Sequence, residues 1–228
     1  MLGTLVLPFA VSAKEEALPF AKGEKITYTI KKMGVKAGET ILVFEGQVEV
    51  HGQLAYLIYF KADGANFLDE EKIFVDTKTF LPVRVERNVN VFGRKEKIIE
   101  IYDQKKYLVK IVKTMRNNRI EEQAIQKDRP IENLYGFIYR YRTEGEFTIG
   151  DALQMNLPTA NVKLKLLKKD KVKVENKEQE AFYMESDSKK YKVWFDGTDK
   201  KVPLKIDGAV GFGSTSMIMR DYQAGKPQ

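Results

Sequence analysis

Apolar and polar residues alternate along most of this chain. Over 24–33, Ile26, Tyr28 and Ile30 fall on one side of an extended backbone, with Lys25, Thr27, Thr29 and Lys31 on the other. A period of two is the mark of a half-buried strand. Gly34 and Gly38 bracket a short turn, and 39–44 returns as the second arm. Further strands are predicted at 54–60, 72–75, 83–91, 95–102, 107–115 and 120–125. Turn residues separate them: 76–79, Phe92-Gly93, Asp103-Gln104 and Asn117-Asn118, the last suited to the positive φ angles of a tight hairpin. Connections this short imply antiparallel neighbours, because a parallel crossover needs about a dozen residues or more.

One segment changes period. Ile131, Leu134, Tyr135 and Ile138 follow the i, i+3, i+4, i+7 spacing of a helix face. Asp128 is placed to cap it and Pro130 suits its first turn, which predicts a helix over 130–141. Strands then resume at 152–157, 162–167, 171–174, 181–184, 191–195, 202–206 and 210–222. The pattern predicts an all-β, mainly antiparallel fold: a curved sheet or half-barrel meander with one covering α-helix. The expected organisation is a single β-rich domain over 14–228, with a seam between two lobes at 128–150 if there is one.

Residues 1–13, MLGTLVLPFAVSA, carry no charge and end in the small-x-small pattern Val11-Ser12-Ala13, after which Lys14-Glu15-Glu16 opens an ordinary polar sequence. Such a run reads as a secretory signal and is too short to span a bilayer, which takes about 20 apolar residues. The expected location is therefore the periplasm, as a soluble protein without a lipid anchor.

Four phrases resemble a known family, in order along the chain: PFAKGEKITYTIKKMGVKAGET at 19–40, VDTKTFLPVRVER at 75–87, IYRYRTEGEFTIGD at 138–151 and KVWFDGTDKKVPLKIDGAVGFGSTSMIM at 192–219. They are similar to the bacterial exported family of unknown function numbered 3108. The resemblance implies an exported, β-rich protein and supplies no catalytic residues.

Chemistry is sparsely represented. With no cysteine, disulfides, thiol nucleophiles, thiolate metal sites and a lipidated cysteine are excluded, and with His51 as the one histidine, so is a His/Cys zinc site. His51 sits in a polar turn context, without a nucleophile-elbow serine near it in sequence. The acidic groups Asp69-Glu70-Glu71, Glu121-Glu122 and Asp196-Gly197-Thr198-Asp199 invite a carboxylate pair or calcium. Consecutive acids on a strand, however, alternate in direction, and Asp196 and Asp199 flank a turn that favours aspartate for its own local bonds. Gly208, Gly211 and Gly213 lack the order and following helix of a dinucleotide fingerprint. No catalytic residue, metal or cofactor is expected.

Charge narrows the partners. The 39 basic and 32 acidic residues leave a net +7, and Lys105, Lys106, Lys110, Lys113, Arg116 and Arg119 form an acid-free basic stretch expected to gather toward the 117–118 hairpin tip. In an exported protein this suits anionic lipid headgroups rather than nucleic acid; a lysine-decorated edge that discourages strand pairing is the plainer alternative. A ligand between helix and sheet would meet Tyr135, Ile138, Tyr139 and Arg142 from the helix and Trp194 from a strand. Two functions stay open at this point: a non-catalytic binder of a lipid or other apolar ligand, and an envelope interaction protein with a filled core.

Overall fold

The structure, a computed structural model, describes residues 18–144, 146–174, 177–209 and 215–226. The expected signal segment 1–13, and Gly211 and Gly213 with the start of the last predicted strand, lie outside the described residues.

The chain forms one 14-stranded antiparallel sheet whose strands follow almost entirely in chain order. The first eight are β1 (Glu24–Lys32), β2 (Val35–Val50), β3 (Gln53–Gly64), β4 (Phe67–Asp76), β5 (Pro82–Val91), β6 (Arg94–Asp103), β7 (Leu108–Met115) and β8 (Ile120–Gln126). Helix α1 (Leu134–Thr143) follows, then β9 (Ala152–Leu157), β10 (Ala160–Val174), β11 (Lys177–Ser186), β12 (Lys192–Asp196), β13 (Pro203–Asp207) and β14 (Thr215–Gln223). β1 pairs with β14, so the two runs of hairpins are sewn together at the centre, and β8 and β9 are the outer strands. The sheet curves without closing. No helix among the described residues is long and apolar enough to cross a membrane.

The predicted pattern is visible strand by strand. On β1, Ile26, Tyr28 and Ile30 are fully buried. The tight turn at Asn118 takes a φ of 59°. Where 162–167 and 171–174 read as two strands, the structure has one long β10, bent by a register shift between Leu166 and Lys168. The shift interrupts the alternation, so a single bulged strand looks like two in sequence. Beyond it, Val172 and Val174 join Tyr183, Trp194 and Leu204 in a small second apolar cluster.

The helix begins later than its sequence suggests. Asn133, not Asp128, is the N-cap, accepting from the Tyr135 and Gly136 amides at 2.9 and 3.3 Å. Asp128 instead pairs with its neighbour Arg129. The stretch before the cap is extended and lies against β9: the Glu132 amide donates to Asn156 O and the Asn156 amide returns to Glu132 Oε2, each at 2.7 Å. Pro130 belongs to this extended stretch, where its fixed φ is as much at home as in a first helical turn.

Helix α1 is also more deeply placed than a one-sided cover. Tyr135, Gly136, Phe137, Ile138, Tyr139, Tyr141 and Arg142 are all buried, and one core cluster holds Tyr135, Phe137, Ile138, Tyr139 and Tyr141 together with residues from β1–β7 and β9–β14. Phe20 packs edge-on to Phe44 and Tyr139, Phe60 stacks on Tyr135 at 4.3 Å, and Tyr141 stacks on Phe147 at 4.8 Å. Gly136 permits the close approach: a Cβ there would stand 3.0 Å from Phe80 O and 3.3 Å from Val75 Cγ1.

Candidate functional site

A cavity of about 850 Å³ opens beside the start of α1. One wall is formed by residues of β4–β7, the other by residues 189–192, 207–209 and 215–216, and Asn133–Tyr135 also line the cavity. Val85, Ile111, Leu134 and Leu157 give it an apolar flank, with Tyr102 and Tyr191 bridging to its polar parts.

The polar end is built by strand register. Asp69 and Glu71 are two apart on β4 and share its inner face, where they are only 3% and 8% exposed. β5 places Arg87 opposite Glu71, and β6 places Ile98 opposite Arg87 with Glu100 two residues further along the same face. The Arg87 guanidinium grips Asp69 in a bidentate pair at 2.7 and 2.5 Å and reaches Glu71 Oε1 at 3.1 Å. Glu100 accepts from the Tyr102 hydroxyl. Three carboxylates thus face one guanidinium. The sequence-based expectation that the 69–71 acids diverge holds only for Glu70, which turns to the other face and accepts from Tyr59 at 2.8 Å. Asp69 and Glu71 converge, because the same alternation that separates neighbours unites residues two apart.

Burial shapes the ionisation here. Desolvation pushes the Glu71 carboxyl up to about 7, helped by the nearby charges of Asp69 and Glu100 and opposed by Arg87 and a hydrogen bond from Asn133. Glu100 is raised for the same leading reason, against the Tyr102 hydrogen bond and Arg87. Glu132, also on the cavity wall, is raised by burial although Arg140 and the Asn156 amide hold its oxygens. The Tyr135 hydroxyl is buried and has no hydrogen-bond partner among the described residues. Tyr135 lines the cavity together with Glu71 and Arg87, and burial first, then the nearby charges of Glu71 and Asp69, hold its proton against ionisation.

Of the five residues expected at a ligand site, only Tyr135 lines the cavity. Ile138 and Tyr139 are core residues with no exposure. Arg142 is equally enclosed: it makes a bidentate pair with Glu24 at 2.7 and 2.8 Å, donates to Lys200 O at 3.0 Å, and packs on the Phe20 and Tyr139 rings. Trp194 belongs to the second cluster, with its Nε1 donating to Asp170 at 3.1 Å and Lys205 Nζ 4.0 Å from its ring centroid. Its neighbours Val193 and Phe195 face the helix core, so alternation turns Trp194 away from it.

The basic stretch is spread out rather than gathered at one tip. Lys105 and Lys106 occupy the β6–β7 turn, whereas Arg116 and Arg119 flank the opposite turn, with the whole of β7, about 26 Å long at 3.3 Å per residue, between them. Lys106, Lys113 and Arg119 are ion-paired to Asp103, Glu96 and Glu121, and Lys110 and Lys113, an odd number apart, point to opposite faces. A different basic group reaches the cavity: Lys189 and Lys190 from the β11–β12 turn and Lys192 at the start of β12. His51 lies exposed in the β2–β3 turn with φ 50°.

Among solved structures, the chain is similar to a β-barrel-like protein of domain of unknown function DUF1849 from Brucella abortus, with 8% identity over 90% of this chain and 98% of that one and a TM-score of 0.50. At that identity the likeness concerns the fold. Among curated proteins, no sequence matches. A family model described as "Protein of unknown function (DUF3108)" matches residues 25–220, nearly all of the folded sheet, and the chain belongs to that family.

Proposed function

We propose that this chain is a non-catalytic binding module of the bacterial cell envelope, exported to the periplasm, that holds a lipid or another molecule with an apolar body in the cavity beside α1. The carrying observation is the cavity. Its volume of about 850 Å³ lies within the range of about 300–1,000 Å³ typical of small-molecule sites, and it combines an apolar flank with convergent polar groups. A purely structural envelope protein with a filled core has no use for such a space. Export draws its support from the uncharged 1–13 stretch and its small-x-small end.

The test uses delipidated protein and a fluorescent zwitterionic phospholipid. Uptake by the native chain, lost in Leu134→Trp and in Leu157→Trp, is the expected result, since either indole would occupy the flank. No uptake by the native chain, or uptake unchanged in both variants, overturns the reading. N-terminal sequencing of periplasmic protein checks the location, with Lys14 the expected first residue; an intact leader in cytosolic protein would argue against export.

A second reading rests on one specific feature, the pair of buried carboxyls Glu71 and Glu100, both raised by burial at a cavity wall. That is how a general acid and base are poised near neutrality. Against it, Arg87 holds one oxygen of Glu71 and the Tyr102 hydroxyl one oxygen of Glu100, which ties each carboxyl to a neighbour on its own wall. Turnover of an aryl glycoside panel, abolished by Glu71→Gln, would favour this second reading.

A further inference from the structure

We infer that the inner end of the cavity recognises a cationic, hydrogen-bond-donating group, a primary organic ammonium carried by a ligand with an apolar body. The inference rests on the binding-module reading above and names the part of the ligand that the site selects. Two independent features carry it. The first is the charge count: Asp69 and Glu71 both pair with Arg87, and Glu100 lies close enough to feel its charge, so the end of the cavity lined by Glu71, Arg87 and Glu100 holds carboxyl groups in excess of its own cations. The second is the Tyr135 hydroxyl, 2% exposed, without a partner among the described residues, and set against the same acids at the cavity wall. A buried hydroxyl is nearly always bonded; an ammonium, with three donors and no acceptor, supplies what this oxygen and the surplus carboxylate both lack.

The opposite wall does not compete for the role. Lys189 and Lys190 are exposed, and Lys192 is paired with Glu185 at 3.2 Å. Exposed charges interact weakly, while buried ones interact through a lower dielectric. An anion at the mouth therefore gains little, and a cation at the inner end gains more.

Titration gives a second handle. The charged and titratable groups facing Glu71 are Asp69 on its own strand, Arg87 on β5, Glu100 and Tyr102 on β6 and Tyr135 on α1. Burial holds the Glu71 carboxyl at about 7 and raises Glu100 in the same direction, so an ammonium binds more tightly as the pH rises and these groups ionise.

Calorimetry with dodecylammonium, dodecanol and dodecanoate at monomeric concentrations tests this. The expected result is a preference of about tenfold or more for the ammonium over both others, increasing from pH 6 to pH 8. Glu71→Gln should reduce that pH dependence and the preference, and Tyr135→Phe should weaken the ammonium by about three- to tenfold, each affecting the ammonium more than dodecanol. Alcohol or carboxylate binding as tightly as the ammonium, or a preference untouched by both variants, overturns the inference while the cavity reading stands. Binding of none of the three overturns both.

Discussion

Arg142 and Arg87 both lie against buried carboxylates, yet their surroundings differ in kind. Around Arg142 the charges balance. Glu24 is its one carboxylate partner among the described residues, both side chains have no exposure, the Tyr222 hydroxyl donates to Glu24 at 3.0 Å, and Lys200 O takes the remaining direction. The pair ties the end of α1 to β1 and to the β12–β13 turn. Around Arg87 they do not balance: two carboxylates touch it, a third lies within reach, and a cavity adjoins them. A satisfied buried ion pair fixes one arrangement of chain segments. An unbalanced one leaves surplus charge beside a cavity, and its cost has to be borne by the rest of the core.

The largest expected effect breaks the balanced pair. Arg142→Leu leaves Glu24 buried without its cation, which should cost about 3–5 kcal/mol in urea unfolding. Adding Glu24→Leu should recover most of that, because a buried pair replaced as a unit by apolar groups is often neutral. A loss under about 1 kcal/mol in the single variant would remove the contrast between the two arginines.

Next comes the unbalanced site. The fold holds the Glu71 proton more tightly than the unfolded chain does, with its carboxyl at about 7 against an ordinary 4.5. The stability this group contributes is thus complete below 4.5 and is lost as pH climbs through about 7, an effect of up to about 3 kcal/mol. Glu100 is shifted the same way. Asp76 and Asp103, lowered by local hydrogen bonds, act with the opposite sign, but their window lies below pH 4. Urea melts at pH 5 and pH 8 should therefore show the native chain weaker at pH 8, with a smaller difference in Glu71→Gln, where Glu100 and Glu132 still act in the same direction. A native chain equally stable at both would mean Glu71 is not desolvated.

The smallest expected effect is Tyr135→Phe. Deleting a hydroxyl that has no partner should leave stability unchanged or raise it by up to about 1 kcal/mol, whereas a loss above that would show that the oxygen is bonded in the ligand-free protein. The matching change at a partnered phenol, Tyr28→Phe, removes a 2.9 Å bond to Pro203 O and supplies the control.

Sequence pattern goes a long way here because strand alternation is a local property. Ile26, Tyr28 and Ile30 declare their face without any knowledge of neighbours, and the turns between β1 and β8 are equally local. Three features were not legible for reasons that can be named. The bulge at Leu166–Lys168 disguises one strand as two. Ile131 is fully buried and fits the helical spacing, but it reaches the core from extended chain held by Asn156, so spacing alone started the helix too early. The acid cluster depends on register: which residue of β5 stands across from Glu71 is set by pairing, and no one-dimensional pattern places Arg87 there. The period-two rule could still have put Asp69 and Glu71 on one face. For Trp194 the same rule, applied to its core-facing neighbours, would have turned it away from the helix.

The junction of β1 with β14 has a consequence for how the chain reaches this shape. Every other pairing among the described strands joins consecutive segments, and such hairpins can zip independently in microseconds. Lys25 meets Gln223 only after nearly the whole sequence has been made. That one long-range closure carries the loop entropy of the fold, and it also aligns the strand bearing Glu24 for Arg142. Until it forms, two half-sheets expose raw edges at the strands that will become the middle of the molecule, so the centre of the finished sheet is its last-built and most aggregation-exposed part during folding.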